Sequence, residues 1–159
     1  MTTTRVSLPT SSLLNHRHDR ARTAHPLVGV LCRRWPSWIA LVLVADNWLN
    51  PSVPSAWALL VLPAGYLLFG GIRGGLRDRR MLMLQLAGLA LYVTLVLLAL
   101  NVGPTTAAWL VVSGWGIHAL WDVAHYRANA VVPRAYAEWC GVIDFVIAFT
   151  AALFLLTPA

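Results

Sequence analysis

The stretch that decides the fold is Met81-LMLQLAGLALYVTLVLLALNVGPTTAAWLVVSGWGIHAL-Trp121, 41 residues without an Arg, Lys, Asp or Glu. A helix needs about 20 apolar residues to cross the hydrocarbon of a bilayer. The stretch is therefore long enough for two crossings, and Asn101-Val-Gly-Pro104 is the turn between them. Working outward, Trp35–Ala45, Asn47–Ile72 and Phe145–Ala159 are also free of charge, and Asn50-Pro-Ser-Val-Pro54 breaks the earlier run. The pattern predicts an all-α, polytopic transmembrane bundle of about five helices, roughly Pro36–Asn50, Ala56–Ile72, Met81–Leu100, Thr106–Tyr126 and Tyr136–Leu156. The first span is short unless it begins near Pro26, which would put Arg33 and Arg34 on its first turns, snorkelling to headgroups.

Composition agrees. The chain of 159 residues is 58% hydrophobic and 11% charged, with mean hydropathy +0.67. A soluble domain carries roughly 25% charged residues, so these values exclude a soluble enzyme. All twelve basic residues are Arg, and they fall in the N-terminal region, in 73–80 and in 127–134. The 50–55 and 101–105 turns have none. The positive-inside bias then sets the N-terminus in the cytoplasm and the C-terminus outside, in a multi-pass plasma-membrane topology. The same alternation of Arg clusters with apolar runs argues against nucleic acid as a partner, despite the basic pI; the bilayer is the expected one. Residues 1–25 read as a polar, basic, disordered cytoplasmic tail and 26–159 as the membrane domain; no h-region with a cleavage site marks a signal peptide. Cys32 and Cys140 are too few for a disulfide framework.

Three of the six acids, Asp46, Asp122 and Asp144, fall inside predicted spans. A carboxylate at the bilayer centre costs about 2.5–3.5 kcal/mol on insertion scales, so these residues must face the bundle or a wet cavity. Asp46 reads either as an interfacial cap near Asn50-Pro51 or as part of a proton relay. His118, Asp122 and His125 stand at i, i+4 and i+7, within about 60° of the helix circumference at about 100° per residue. On the last span Cys140 and Asp144 also share a face. A short loop joins these two spans, so the stripes can meet in a titratable pocket open toward the cytoplasm, with apolar walls from Trp115 and from the second and third spans. Trp115, Trp121, Trp139 and Tyr126 are the candidate substrate-binding aromatics; aromatic belts explain most of the remaining Trp.

Three readings of the cluster stay open. His118, Asp122, His125 and Asp144 can be structural polar links between helices. They can be catalytic, with Asp122 or Asp144 as proton donor and a histidine as base acting on a hydrophobic lipid or isoprenoid. Or the same four can bind a divalent metal, a cofactor that the catalytic reading does not require.

Gly114-Trp115, His118, Trp121-Asp122, His125, Val132-Pro133, Cys140 and Asp144 resemble a family of small bacterial, actinobacterial-type integral membrane proteins of unknown function. Its members carry G-W-x-x-H-x-x-W-D-x-x-H, a loop ending in Val/Ile-Pro, and Cys-x3-Asp. The resemblance covers 114–148. It departs at Tyr126, where many relatives have a second His, and it supports the motif without naming its chemistry. A looser similarity in architecture links the chain to small membrane isomerases and terpene cyclases.

Overall fold

The computed structural model describes residues 26–157, and among them every regular element is helical. The tail expected over 1–25 lies outside the described residues. The chain divides into two units, one ending at Trp35 and one beginning at Pro36. The described part of the first is α1, Pro26–Arg33. After it come α2 (Trp35–Leu43), α3 (Ala45–Leu49), a 3-10 turn at Ala56–Leu60, α4 (Val61–Ile72), a 3-10 turn at Gly75–Arg77, α5 (Arg79–Asn101), α6 (Pro104–Ala128) and α7 (Arg134–Leu156).

The ends of the long helices follow from local chemistry. Asp78 caps α5, its side chain accepting from the Arg80 N–H at 2.9 Å. Pro104 opens α6, where its missing N–H costs nothing. Asn129, in the left-handed conformation at φ 48°, closes α6 by donating its N–H to the His125 carbonyl. The last three predicted spans thus match α5, α6 and α7 within a few residues. The first two depart from expectation. The span predicted as one helix over Pro36–Asn50 is broken after Leu43, and helix begins already at Pro26. The span predicted over Ala56–Ile72 starts as a 3-10 turn before becoming α-helical at Val61.

α5 and α7 are each 23 residues long with mean hydropathy 2.2 over their most apolar window, enough by length and composition to cross a membrane. α6 falls short of that hydropathy because it carries His118, Asp122 and His125 among its 25 residues. α6 and α7 share the most extensive interface, and α5 packs on α4 and α6. Close approach of α6 and α7 depends on small residues. A Cβ at Gly141 would stand 3.1 Å from the Asp122 Cβ, and one at Gly116 would make ordinary contact with Ala148 at 3.9 Å.

Polarity is distributed unusually. Gln85, His118, Asp122, His125, Asp144 and Thr150 are buried, while Leu49, Ile72, Leu120, Phe145 and Leu156 are among the many large apolar side chains left exposed. One apolar cluster holds Leu59, Tyr92, Val96, Val111 and Trp115; another holds Tyr66, Val131, Val132 and Ala137. Gln85, His118, Asp122, His125 and Asp144 lie among α4, α5, α6 and α7, whereas Thr150 meets α3.

Candidate functional site

α6 and α7 bring His118, Asp122 and Asp144 together. His118 is the fifteenth of 25 residues in α6 and Asp144 the eleventh of 23 in α7, so both sit near the middle of their helices. His118 Nδ1 lies 2.6 Å from Asp144 Oδ2 and 3.4 Å from Asp122 Oδ2. The first distance is a charge-assisted hydrogen bond, the ring N–H donating to the carboxylate. Asp122 is held from its other side: the Tyr66 hydroxyl donates to Asp122 Oδ1 at 2.5 Å. All three cluster residues are at most 2% exposed.

Two atoms of the cluster lack a hydrogen bond, although Asp122 Oδ2 keeps its ion-pair contact with His118 Nδ1. Asp122 Oδ2 accepts no hydrogen bond, and His118 Nε2, on the ring edge opposite Asp144, has no partner. With Nδ1–H committed to Asp144, Nε2 presents a lone pair. Such a buried, unpaired polar atom costs about 1–3 kcal/mol, which is a reason to look for a functional role. His118 is one of the residues around a cavity of about 30 Å³, together with Gln85, Gly88, Tyr92, Ile117 and Trp121. The Trp115 indole N–H, in the adjoining apolar cluster, is also buried without a partner.

His125 is on the same stripe but has different company. Its Nδ1 lies 3.0 Å from the Trp121 carbonyl and its Nε2 lies 2.8 Å from the Gln85 amide nitrogen. A carbonyl only accepts and an amide NH2 only donates, so His125 is neutral with its proton on Nδ1. Tyr66 separates the two histidines, with ring centroids 5.4 Å from His118 and 4.8 Å from His125, edge to face. Both His125 nitrogens are thus occupied.

Several expectations change accordingly. The cluster is enclosed rather than wet, with His118, Asp122 and Asp144 all buried. Its walls from the second and third spans are not purely apolar, since they supply Tyr66, Gln85 and Tyr92. Of the four aromatics expected at the site, only Trp121 lines the cavity. Trp115 packs in the apolar cluster, Tyr126 lies under the Arg134 guanidinium at 5.9 Å, and Trp139 rests against Tyr136 at 6.2 Å. Asp46 is exposed and accepts from the Asn50 side chain at 3.2 Å, which matches a terminal role. Asn47 donates to Thr150 and joins α3 to α7.

Tyr66 and Gln85 carry no motif, and the sequence reading missed both. A signal existed for each: Gln85 is the single polar residue between Met81 and Thr94, and Tyr66 stands mid-span, away from any belt position.

His118, Asp122 and Asp144 offer ligand atoms within 4.8 Å of one another. An ion at about 2.0–2.2 Å from each donor in tetrahedral geometry would set donors roughly 3.3–3.6 Å apart. The His118–Asp122 pair meets that spacing, whereas His118 and Asp144 stand at hydrogen-bond distance. His125 cannot complete the set, because both its nitrogens are engaged. His118 Nδ1 and Asp144 Oδ2 are thus arranged for a shared proton, while His118 Nε2 and Asp122 Oδ2 remain as donors for a cation.

No family model, curated protein or solved structure matches the chain.

Proposed function

We propose that this chain is a multi-pass bacterial plasma-membrane protein, related to the small actinobacterial-type family that it resembles, whose α4–α7 core performs acid–base chemistry on a hydrophobic molecule. The membrane reading gains support from the inverted polarity: ionisable groups inside, bulky apolar side chains outside. It adds three spans to the two that hydropathy alone picks out. α6 is one of them, since its polar residues turn inward. The 56–72 segment is the second and the 36–50 segment the third.

The observation that carries the chemical reading is His118. Its Nδ1 is fixed by Asp144, and its Nε2 is buried, unpartnered and opposite that bond. This is the arrangement in which a carboxylate orients an imidazole so that the far nitrogen can take or give a proton. Asp122, held by Tyr66, lies close enough to stabilise the imidazolium once it forms. The reaction class is a proton transfer of the isomerase or cyclase type, with His118 the base and conjugate acid, and Asp144 and Asp122 its positioning and charge-balancing partners.

A purely structural role explains less. Interhelical polar bonds in membranes average about 0.6 kcal/mol, and a structural cluster has no reason to leave His118 Nε2 without a partner. The test is deletion of the gene in its host, with lipid and isoprenoid profiling and complementation by Asp122→Asn and Asp144→Asn. The expected result is a hydrophobic metabolite that accumulates on deletion and is not cleared by variants that fold normally. An unchanged profile with strongly destabilised variants would leave only the structural role. Stoichiometric metal in the purified protein, lost in Asp122→Asn, would transfer the site to a metal function.

A further inference from the structure

The cavity beside His118 constrains what can react there. At about 30 Å³ it has the volume of roughly one liquid water, about a tenth of a small ligand pocket. No lipid or isoprenoid fits inside as a whole. Its walls are mostly apolar, and two of them, Leu91 on α5 and Ile117 on α6, are also 47% and 43% exposed on the outer surface of the bundle. The cavity therefore lies directly beneath side chains that face lipid.

Depth adds a second constraint. His118 is ten residues before Ala128 and Asp144 ten residues after Arg134. At about 1.5 Å per residue each is roughly 15 Å from the Arg-bearing end of its helix, about half of a 30 Å hydrocarbon core. Headgroups do not reach that depth, whereas the distal ends of acyl and prenyl chains do.

Resting on the acid–base reading above, we propose that the substrate is a single-chain amphiphile with a carbon–carbon double bond near its tail end, which gains a proton at one carbon of that bond and returns one from the carbon next to the other, so that the double bond shifts. It stays in the bilayer and enters tail first, sideways between α5 and α6 at Leu91 and Ile117. Only its last few atoms reach the His118 cavity. Acyl and isoprenoid chains share this chemistry, and Gly88 sets the space available: a Cβ there would already touch the Trp121 ring at 3.6 Å, so any longer side chain fills the cavity.

Photo-crosslinking in phosphatidylethanolamine/phosphatidylglycerol nanodiscs tests this. Three probes are compared: a fatty acid with a diazirine at its terminal carbon, a prenyl alcohol with a terminal diazirine, and a fatty acid with the diazirine next to the carboxyl. The terminal probes should label the 88–92 and 117–121 segments several-fold more than Phe145 and Leu153 on the exposed face of α7, and the preferred chain type identifies the source. Gly88→Val and, at the surface, Ile117→Trp should each remove that excess while labelling at Phe145 persists. Uniform labelling of the lipid face, or equal labelling by the carboxyl-proximal probe, overturns the proposal. If labelling is uniform while His118→Gln still abolishes metabolite turnover, tail entry fails and the acid–base reading stands. If labelling is localised while His118→Gln leaves the metabolites unchanged, tail entry stands and the acid–base reading fails.

Discussion

His118 and His125 are separated by two helical turns and differ in chemistry because of their partners. His125 has a donor on one side and an acceptor on the other, so its tautomer is fixed and it has no free nitrogen. Nitrogen-15 NMR of histidine-labelled protein should show His125 protonated at Nδ1 only, and Gln85→Leu should change the Nε2 shift; protonation at Nε2 would reverse the assignment of the Gln85 amide. His118 has an acceptor on one side and nothing on the other. Tyr66 is the residue that makes a carboxylate beside it tolerable. Hydrogen bonds to charged groups contribute about 1.5–3 kcal/mol, so Tyr66→Phe should lower stability by about that amount in thermal unfolding. The same substitution made on Asp122→Asn should cost much less, because the charged acceptor is already gone. Equal losses in both backgrounds would mean that Tyr66 acts through packing alone.

At the scale of elements, the α6–α7 seam sets the site. The position of the Asp122 carboxylate depends on Gly141, whose Cβ would press on the Asp122 Cβ at 3.1 Å. Gly141→Ala should cost about 1–3 kcal/mol, the usual range for overpacking, and should disturb the Tyr66–Asp122 bond. Gly116→Ala lies on the same seam with room for a methyl group and should be near neutral, as thermal unfolding of the pair would show. The sequence made this seam legible: His118, Asp122 and Asp144 fall on facing stripes, and a short loop forces α6 and α7 to be neighbours. It did not show that His125 would turn to Gln85, because a helical stripe gives azimuth and not partners. Nor did it show the breaks after Leu43 and within 56–60. The local marks were there, Asp46 in the first turn of α3 and Ser55 and Pro63 on either side of the 3-10 turn, but they lie in strongly apolar segments where hydropathy alone reads one continuous helix.

At the scale of the whole molecule, the three Arg-bearing regions should all lie on one side of the membrane. Ser52 is exposed in the turn between Asn50 and Pro54. With Cys32 and Cys140 replaced, Ser52→Cys should react with an impermeant thiol reagent added outside intact cells. Labelling only from the cytoplasmic side would invert the topology, and with it the direction assigned to every span. The cavity beside His118 is small, so on the proposed reading the activity acts on what the bilayer brings to α5 and α6.

The central claim is that His118 moves a proton to or from a hydrophobic molecule, and exchange with heavy water tests it most directly. Purified protein is reconstituted with a total lipid extract of its host in deuterated buffer, and the lipids are then weighed by mass spectrometry. The account predicts that one class of hydrophobic compound gains deuterium at carbon with the native protein and gains none with a folded His118→Gln variant. If no compound gains deuterium while the protein stays folded, or if His118→Gln supports the same exchange, the acid–base assignment is contradicted.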